Sequence, residues 1–110
     1  MKLPGGDRAE VSPSRLTAYL LNPRHAQGKH KARVFASALG LDAAGADALR
    51  KWLNQLAREG DAEPGLSDKH GRRFVIRAKF VYNGREAQIR TAWIVRAGYD
   101  YPEFLTAFVE

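Results

Sequence analysis

The sequence predicts an α+β domain, with three N-terminal helices packed on one face of an antiparallel sheet of three or four strands. Three observations carry this prediction. Apolar residues in the first half recur at helical spacing. An Asn-Gly pair in the second half separates two runs that alternate apolar and polar residues. The 110 residues suffice for one core and are too few for two. The expectation is therefore a single domain, residues 1–110, with a helical half over 12–60 and a sheet half over 72–110.

The first helix is expected in "SPSRLTAYLLNP". Ser12 stands as N-cap, Pro13 takes the first helical position, and Val11 can staple onto Leu16. Leu16, Tyr19 and Leu20 share a face, and Asn22-Pro23 ends the helix, because a residue before proline is pushed out of the α region. A second helix begins near Lys29, with Ala32, Phe35, Ala36 and Leu39 on one stripe and Gly40 suited to a left-handed C-cap. In the third, Asp42 is the cap, Leu49, Trp52, Leu53 and Leu56 form the stripe, Gly45 weakens the first turn, and Gly60 closes the helix. The polar stretch "DAEPGLSDKHG" that follows is rich in turn formers and reads as a loop.

Asn83-Gly84 fixes the hairpin register. Tyr82 pairs with Arg85, and outward from there Phe80, Ala78, Ile76 and Phe74 meet Ala87, Ile89, Thr91 and Trp93 on the core face. The other face receives Arg73, Arg77, Lys79, Arg90 and Arg96, with Gln88 and a single acid, Glu86. Arg77 falls opposite Arg90, a like-charge pair that either splays into solvent, finds acids from a loop or holds an anion between its members, and the five cations together are the candidate phosphate-binding set. A last strand is expected over Phe104 to Val109, after a turn at Tyr101-Pro102, with Thr106 in its middle.

Eighteen lysines and arginines against twelve acids give a formal charge of +6, which suits polyanionic partners. With no cysteine, neither disulfides, thiolate metal sites nor cysteine catalysis arise. The amino terminus lacks the apolar core of a signal peptide and no stretch approaches bilayer-spanning length, so no membrane partner is expected and the cytoplasm is the expected location. Phosphate-binding loop, Rossmann glycine and zinc-helix patterns are all absent.

The stretch "NPRHAQGKHKARVF" holds two histidines and four basic residues without an acid. His25 and His30, five apart and flanked by cations, make a poor metal site, so neither a metal nor a cofactor is expected. The same neighbours favour neutral imidazole, the form a general base needs. His25 sits in the turn. His30 projects away from the second helix's stripe. Lys31 lies at the stripe's edge beside Phe35, from where its ammonium reaches the groove between helix and sheet. Thr91 reads as a buried β-branched residue with a backbone-bonded hydroxyl, or alternatively as a hydrogen-bond donor to a reacting phosphate. Trp52 and Trp93 read as core, and Tyr99 and Tyr101 as residues able to stack on bases.

The segments "LLNPRHAQGKHKARVFASALG", "RFVIRAKFVYNGREAQIRTAWIV" and "PEFLTAF" resemble a small bacterial family with the pattern N-P-x-H, G-x-x-K-A-x-x-F, a glycine hairpin, T-x-W-I, and a closing P-x-x-x-T-A. That resemblance spans nearly the whole chain and implies a toxin-like module of toxin–antitoxin or polymorphic toxin systems, partnered by an acidic cognate antitoxin or immunity protein. The order of helices then antiparallel sheet, the basic sheet face and the T-x-W strand also resemble the barnase, EndoU, colicin and RelE group of ribonucleases. This second resemblance implies metal-independent RNA cleavage by the ribose 2′-hydroxyl. It makes His25 the leading base or acid, with His30 as its substitute, Lys31, Arg77 and Arg90 the phosphate ligands, and Thr91 or Thr106 a hydrogen-bond donor. The other reading of the residues is a non-catalytic module that docks RNA or an acidic protein on its basic sheet face.

Overall fold

A computed structural model describes residues 1–110. Helix α1 starts as one α-turn, Pro13–Arg15, and continues as a π-turn, Leu16–Leu20. Helix α2 spans Lys29–Leu39 and α3 spans Ala46–Glu59, the latter entered through a 3-10 turn, Ala43–Gly45. Strands β1 (Ala62–Asp68), β2 (Gly71–Tyr82), β3 (Arg85–Arg96) and β4 (Glu103–Val109) form one antiparallel sheet in sequence order. The class is α+β, and no helix is long and apolar enough to cross a membrane.

The helix termini follow their local chemistry. Asp42 caps the third helical segment by accepting the Ala44 N–H at 3.0 Å. Helix α2 ends where Gly40 turns left-handed, at φ 66°, and the Leu41 N–H bonds back to the Phe35 carbonyl. Apolar stripes from all three helices meet the inner sheet face in one cluster of 21 buried residues. Leu16, Leu20, Phe35, Leu39, Leu49 and Leu53 come from the helices, and Phe74, Ile76, Ile89, Trp93 and Phe104 from the strands.

The hairpin register is the one the turn dictates. Asn83 and Gly84 take φ values of 48° and 79°, the left-handed pair of a two-residue hairpin turn, and Tyr82 pairs with Arg85. Every further pair, from Phe80 with Ala87 to Phe74 with Trp93, then falls as expected.

The stretch expected to be a loop, residues 61–71, is instead mostly strand β1, paired to β2 from Ala62 opposite Ile76 to Asp68 opposite Gly71. Its composition hid it because β1 is an edge strand with only Ala62 buried. Pro64 can sit there because an edge residue's missing N–H need not break a ladder bond, and the register slips between Pro64 and Ser67.

Two features place α1 against the edge of β4. Glu10 lies alongside that strand, its N–H donating to the Pro102 carbonyl and its carbonyl accepting from the Phe104 N–H, both at 2.9 Å. The register also shifts between Ala92 and Trp93, so that Thr106 pairs with Ala92 and Phe104 with Trp93. Leu105 is the extra residue, and the bend leaves Thr106 half-buried under α1.

Candidate functional site

The π-turn of α1 carries Tyr19. The Leu21 N–H bonds to the Leu16 carbonyl five residues back, at 2.8 Å, which widens the turn. Leu16, Leu20 and Leu21 all reach the core, while Tyr19 points along the β4 edge and stays half-buried. Its hydroxyl oxygen accepts a hydrogen bond from the Lys31 ammonium at 3.0 Å and lies 3.5 Å from the Thr106 hydroxyl. The Lys31 ammonium sits 5.4 Å and the Arg15 guanidinium 6.0 Å from the Tyr19 ring centre. The bond from Lys31, then that from Thr106, holds the Tyr19 hydroxyl below the usual phenol range, because both stabilise a phenolate more than the neutral group.

His25 joins this cluster edge-on, its ring 5.0 Å from that of Tyr19 at an interplanar angle of 88°. Its Nδ1 accepts the N–H groups of Gln27 and Gly28, both at 3.0 Å, so it ties down the turn that feeds α2. Two donors aimed at Nδ1 assign the ring hydrogen to Nε2. In this geometry the free ring nitrogen of His25 is an N–H donor, not an acceptor. The turn is braced from the other side by Asn22, whose side chain donates to the Ala18 carbonyl and accepts the Arg24 N–H. Gly28 closes it where any Cβ would overlap the Tyr19 carbonyl oxygen.

The structure thus gathers His25, Lys31 and Thr106 around Tyr19 and separates the other two expected catalytic residues from them. His30 is exposed on the next helical position and lines a shallow cleft with Lys31, Val34, Phe108 and Val109. Thr91 faces the core, fully buried, where its hydroxyl donates to the Ile76 carbonyl at 2.7 Å and accepts the Trp93 indole N–H at 2.9 Å. That removes it from reach of any ligand. Thr91→Val is expected to lower unfolding stability by about 1–3 kcal/mol, because a buried indole N–H loses its acceptor. Chemical denaturation measures this, and an unchanged midpoint would mean that the bond contributes nothing net.

The basic sheet face is less bare than the hairpin alone implies. Arg73 pairs with Asp68 at 3.0 Å, Arg77 with Glu110 at 3.3 Å, Lys79 with Glu86 at 3.4 Å and Arg96 with Glu103 at 2.8 Å. Asp68 comes from β1, Glu103 from β4 and Glu110 from just past the end of β4, so Arg77 and Arg90 need no anion between them: Arg77 turns to Glu110, and Arg90 lies 5.8 Å over the Phe108 ring. Arg90 alone of the five has no carboxylate partner.

Cations without acids run instead along the segment that carries Tyr19, and two of them, Arg15 and Lys31, reach its ring. Residues 11–41 contain Arg15, Arg24, Lys29, Lys31 and Arg33 and no acid, and none of these five side chains forms an ion pair. Tyr19, Arg15 and His25 wall a cleft of about 470 Å³ that runs on past Ser12 and Ser14 to Glu10 and Glu103. Sequence reading missed Tyr19 and Arg15 as site residues. The available signal was the tyrosine on an otherwise leucine-lined face, since its hydroxyl requires a partner.

Fold and site together define a small α+β domain whose cationic helical edge carries a tyrosine–lysine pair beside an open cleft. Residues 2–110 match the family described as Domain of unknown function (DUF6883), and the chain belongs to that family. Among solved structures, the chain is similar in fold to a chain of the contact-dependent growth inhibition toxin–immunity protein complex from Klebsiella pneumoniae 342. The TM-score is 0.70 at 14% identity, over 91% of this chain and 92% of that one. No curated protein sequence matches it.

Proposed function

We propose that this chain is the toxin of a toxin–antitoxin or polymorphic toxin system and a metal-independent endoribonuclease of the barnase, EndoU, colicin and RelE type. It acts in the cytoplasm, with RNA as substrate and an acidic antitoxin or immunity protein as its cognate partner. The observation that carries this reading is the Lys31–Tyr19–Thr106 cluster, a phenol that accepts a hydrogen bond from a cation, its pKa lowered by its partners, on a helical segment that contains no acid. The likeness in fold to a chain from a toxin–immunity complex supports the toxin role.

The chemistry assigns one task to each group. Tyr19, as phenolate, takes the proton of the ribose 2′-hydroxyl; the 2′ oxygen bonds to phosphorus as the bond to the 5′ oxygen breaks, and water in the open cleft protonates the leaving oxygen. The products are a 2′,3′-cyclic phosphate and a 5′-hydroxyl end. The Lys31 ammonium meets the charge that builds on the non-bridging oxygens, and the His25 Nε2–H donates to the same phosphate. Thr106 steadies the phenolate. His25 thus orients substrate, and the proton transfer expected of it from sequence passes to Tyr19.

The decisive experiment is cleavage of a single-stranded RNA with and without a single 2′-deoxy substitution at the cut site. Loss of cleavage on substitution and persistence in EDTA are expected. EDTA-sensitive cleavage overturns the mechanism, and RNA binding without any cleavage makes the chain a non-catalytic RNA-binding module. The pH dependence follows from Tyr19. Because the phenolate is the active form, the rate should climb with pH until Tyr19 is fully ionised, and the partners that depress its pKa bring that limb to lower pH. Tyr19→Phe should abolish the limb along with most of the activity; a limb that survives in Tyr19→Phe assigns the base elsewhere.

A further inference from the structure

The reaction as proposed gives no role to a cleft that shares Lys31 with it. It is lined by His30, Lys31, Val34, Phe108 and Val109. Phe108 and Val34 are 39% and 45% exposed, and neither belongs to the buried core. Phe108 pairs across the ladder with Arg90, whose guanidinium hangs 5.8 Å over its ring. The other four cations of that sheet face are held by carboxylates, so its one guanidinium without a carboxylate partner stands beside the exposed phenyl ring of the cleft.

We propose that Phe108 and Arg90 form a stacking subsite for one nucleobase of single-stranded RNA, next to the phosphate held at Lys31. This deepens the ribonuclease reading and rests on its placement of the phosphate. The physical argument is one of complementary surfaces. A base offers two flat apolar faces and carries a phosphate on either side. The cleft offers an exposed ring, an apolar wall at Val34 and the Lys31 ammonium, and Arg90 lies over the same Phe108 ring. Stacking does not read hydrogen-bond patterns, so the subsite tolerates any base and requires only that the base be unstacked from its neighbours. A duplex cannot supply one, which selects single-stranded RNA.

The test uses fluorescence anisotropy with a labelled 2′-O-methyl RNA hexamer, which the 2′-hydroxyl reaction cannot cleave, and hexamers made abasic at each successive position. Phe108→Ala is expected to weaken binding of the intact hexamer about tenfold, within the range for losing one base–aromatic stack. One abasic position should weaken binding to wild type by a similar factor and cause no further loss in Phe108→Ala, since both remove the same contact. Arg90→Gln should weaken binding less and flatten its salt dependence. If Phe108→Ala binds intact and abasic hexamers alike with wild-type affinity, or loses affinity equally for all of them, the subsite does not exist. Far-ultraviolet circular dichroism of the variant separates a lost contact from a lost fold. Base-dependent binding through Phe108 in a protein that cleaves nothing would overturn the ribonuclease reading and keep the subsite. Cleavage with no Phe108 dependence would do the reverse.

Discussion

Replacing Lys31 with methionine is expected to lower RNA cleavage by about 10²–10³-fold, the usual loss when a preorganised charge is removed from a developing oxyanion. Methionine keeps most of the length and the apolar stem of lysine, so the wall beside Val34 and Val109 is preserved and only the ammonium goes. Two effects then add. The proposed phosphorane loses the ammonium assigned to it, and Tyr19 loses the hydrogen bond from Lys31 that chiefly lowers its pKa, which should move the rising pH limb to higher pH. Lys31→Arg restores charge without the compact geometry of an ammonium and should recover only part of the rate. Single-turnover rates across a pH series measure both effects. Cleavage that stays within about tenfold of wild type would remove Lys31 from the reaction.

Gly28→Ala is expected to damage stability and activity together. The Gly28 backbone, at φ −88°, is open to any residue, so conformational freedom is not what glycine supplies there. Space is the requirement, since an added Cβ would overlap the Tyr19 carbonyl oxygen and crowd its ring. Relief requires the first turn of α2 to separate from the π-turn of α1. That junction is the one the Lys31–Tyr19 hydrogen bond spans and the one the Gly28 N–H helps to set through His25. Overpacking of this kind costs about 1–3 kcal/mol. Displacing reacting groups by about 1 Å can cost a further 10²-fold in rate. Urea unfolding and cleavage corrected for the folded fraction read the two losses separately. A variant with wild-type midpoint and rate would show that the junction yields at no cost.

What was legible in the sequence, and what was not, divides along physical lines. The β2–β3 hairpin was readable to the residue, because Asn83-Gly84 admits few turn geometries and the side-chain alternation then propagates the register. Helices α2 and α3 were readable from their stripes and from Asp42 and Gly40 at their ends. Strand β1 was not, because an edge strand that buries one residue has no apolar alternation to show. That omission carried over to the sheet face, where Arg73 seemed free while Asp68 was assigned to a loop. Glu103 and Glu110 were likewise out of sight, since the pairing of β4 with β3 depends on a bulge at Leu105 that no local pattern announces. His25, Lys31 and Thr106 were found as chemistry without an account. The group that unites them, Tyr19, was absorbed into the apolar face it shares with Leu16 and Leu20.

The widened turn in α1 has a consequence for how the site is encoded. A π-turn holds one residue more than the α-turn it replaces, and each residue of an α-helix advances the side chains by about 100° around the axis. Residues before Leu16 and after Leu20 therefore stand out of phase by that angle relative to an uninterrupted helix. Removing one exposed residue from this turn, Thr17 or Ala18, would let an ordinary helix form with its leucines still able to find the core. It would also rotate the tyrosine away from Lys31 and Thr106. The contact of Tyr19 with Lys31 and Thr106 is thus written as a count, a single surplus residue, in addition to the identities of the side chains it brings together.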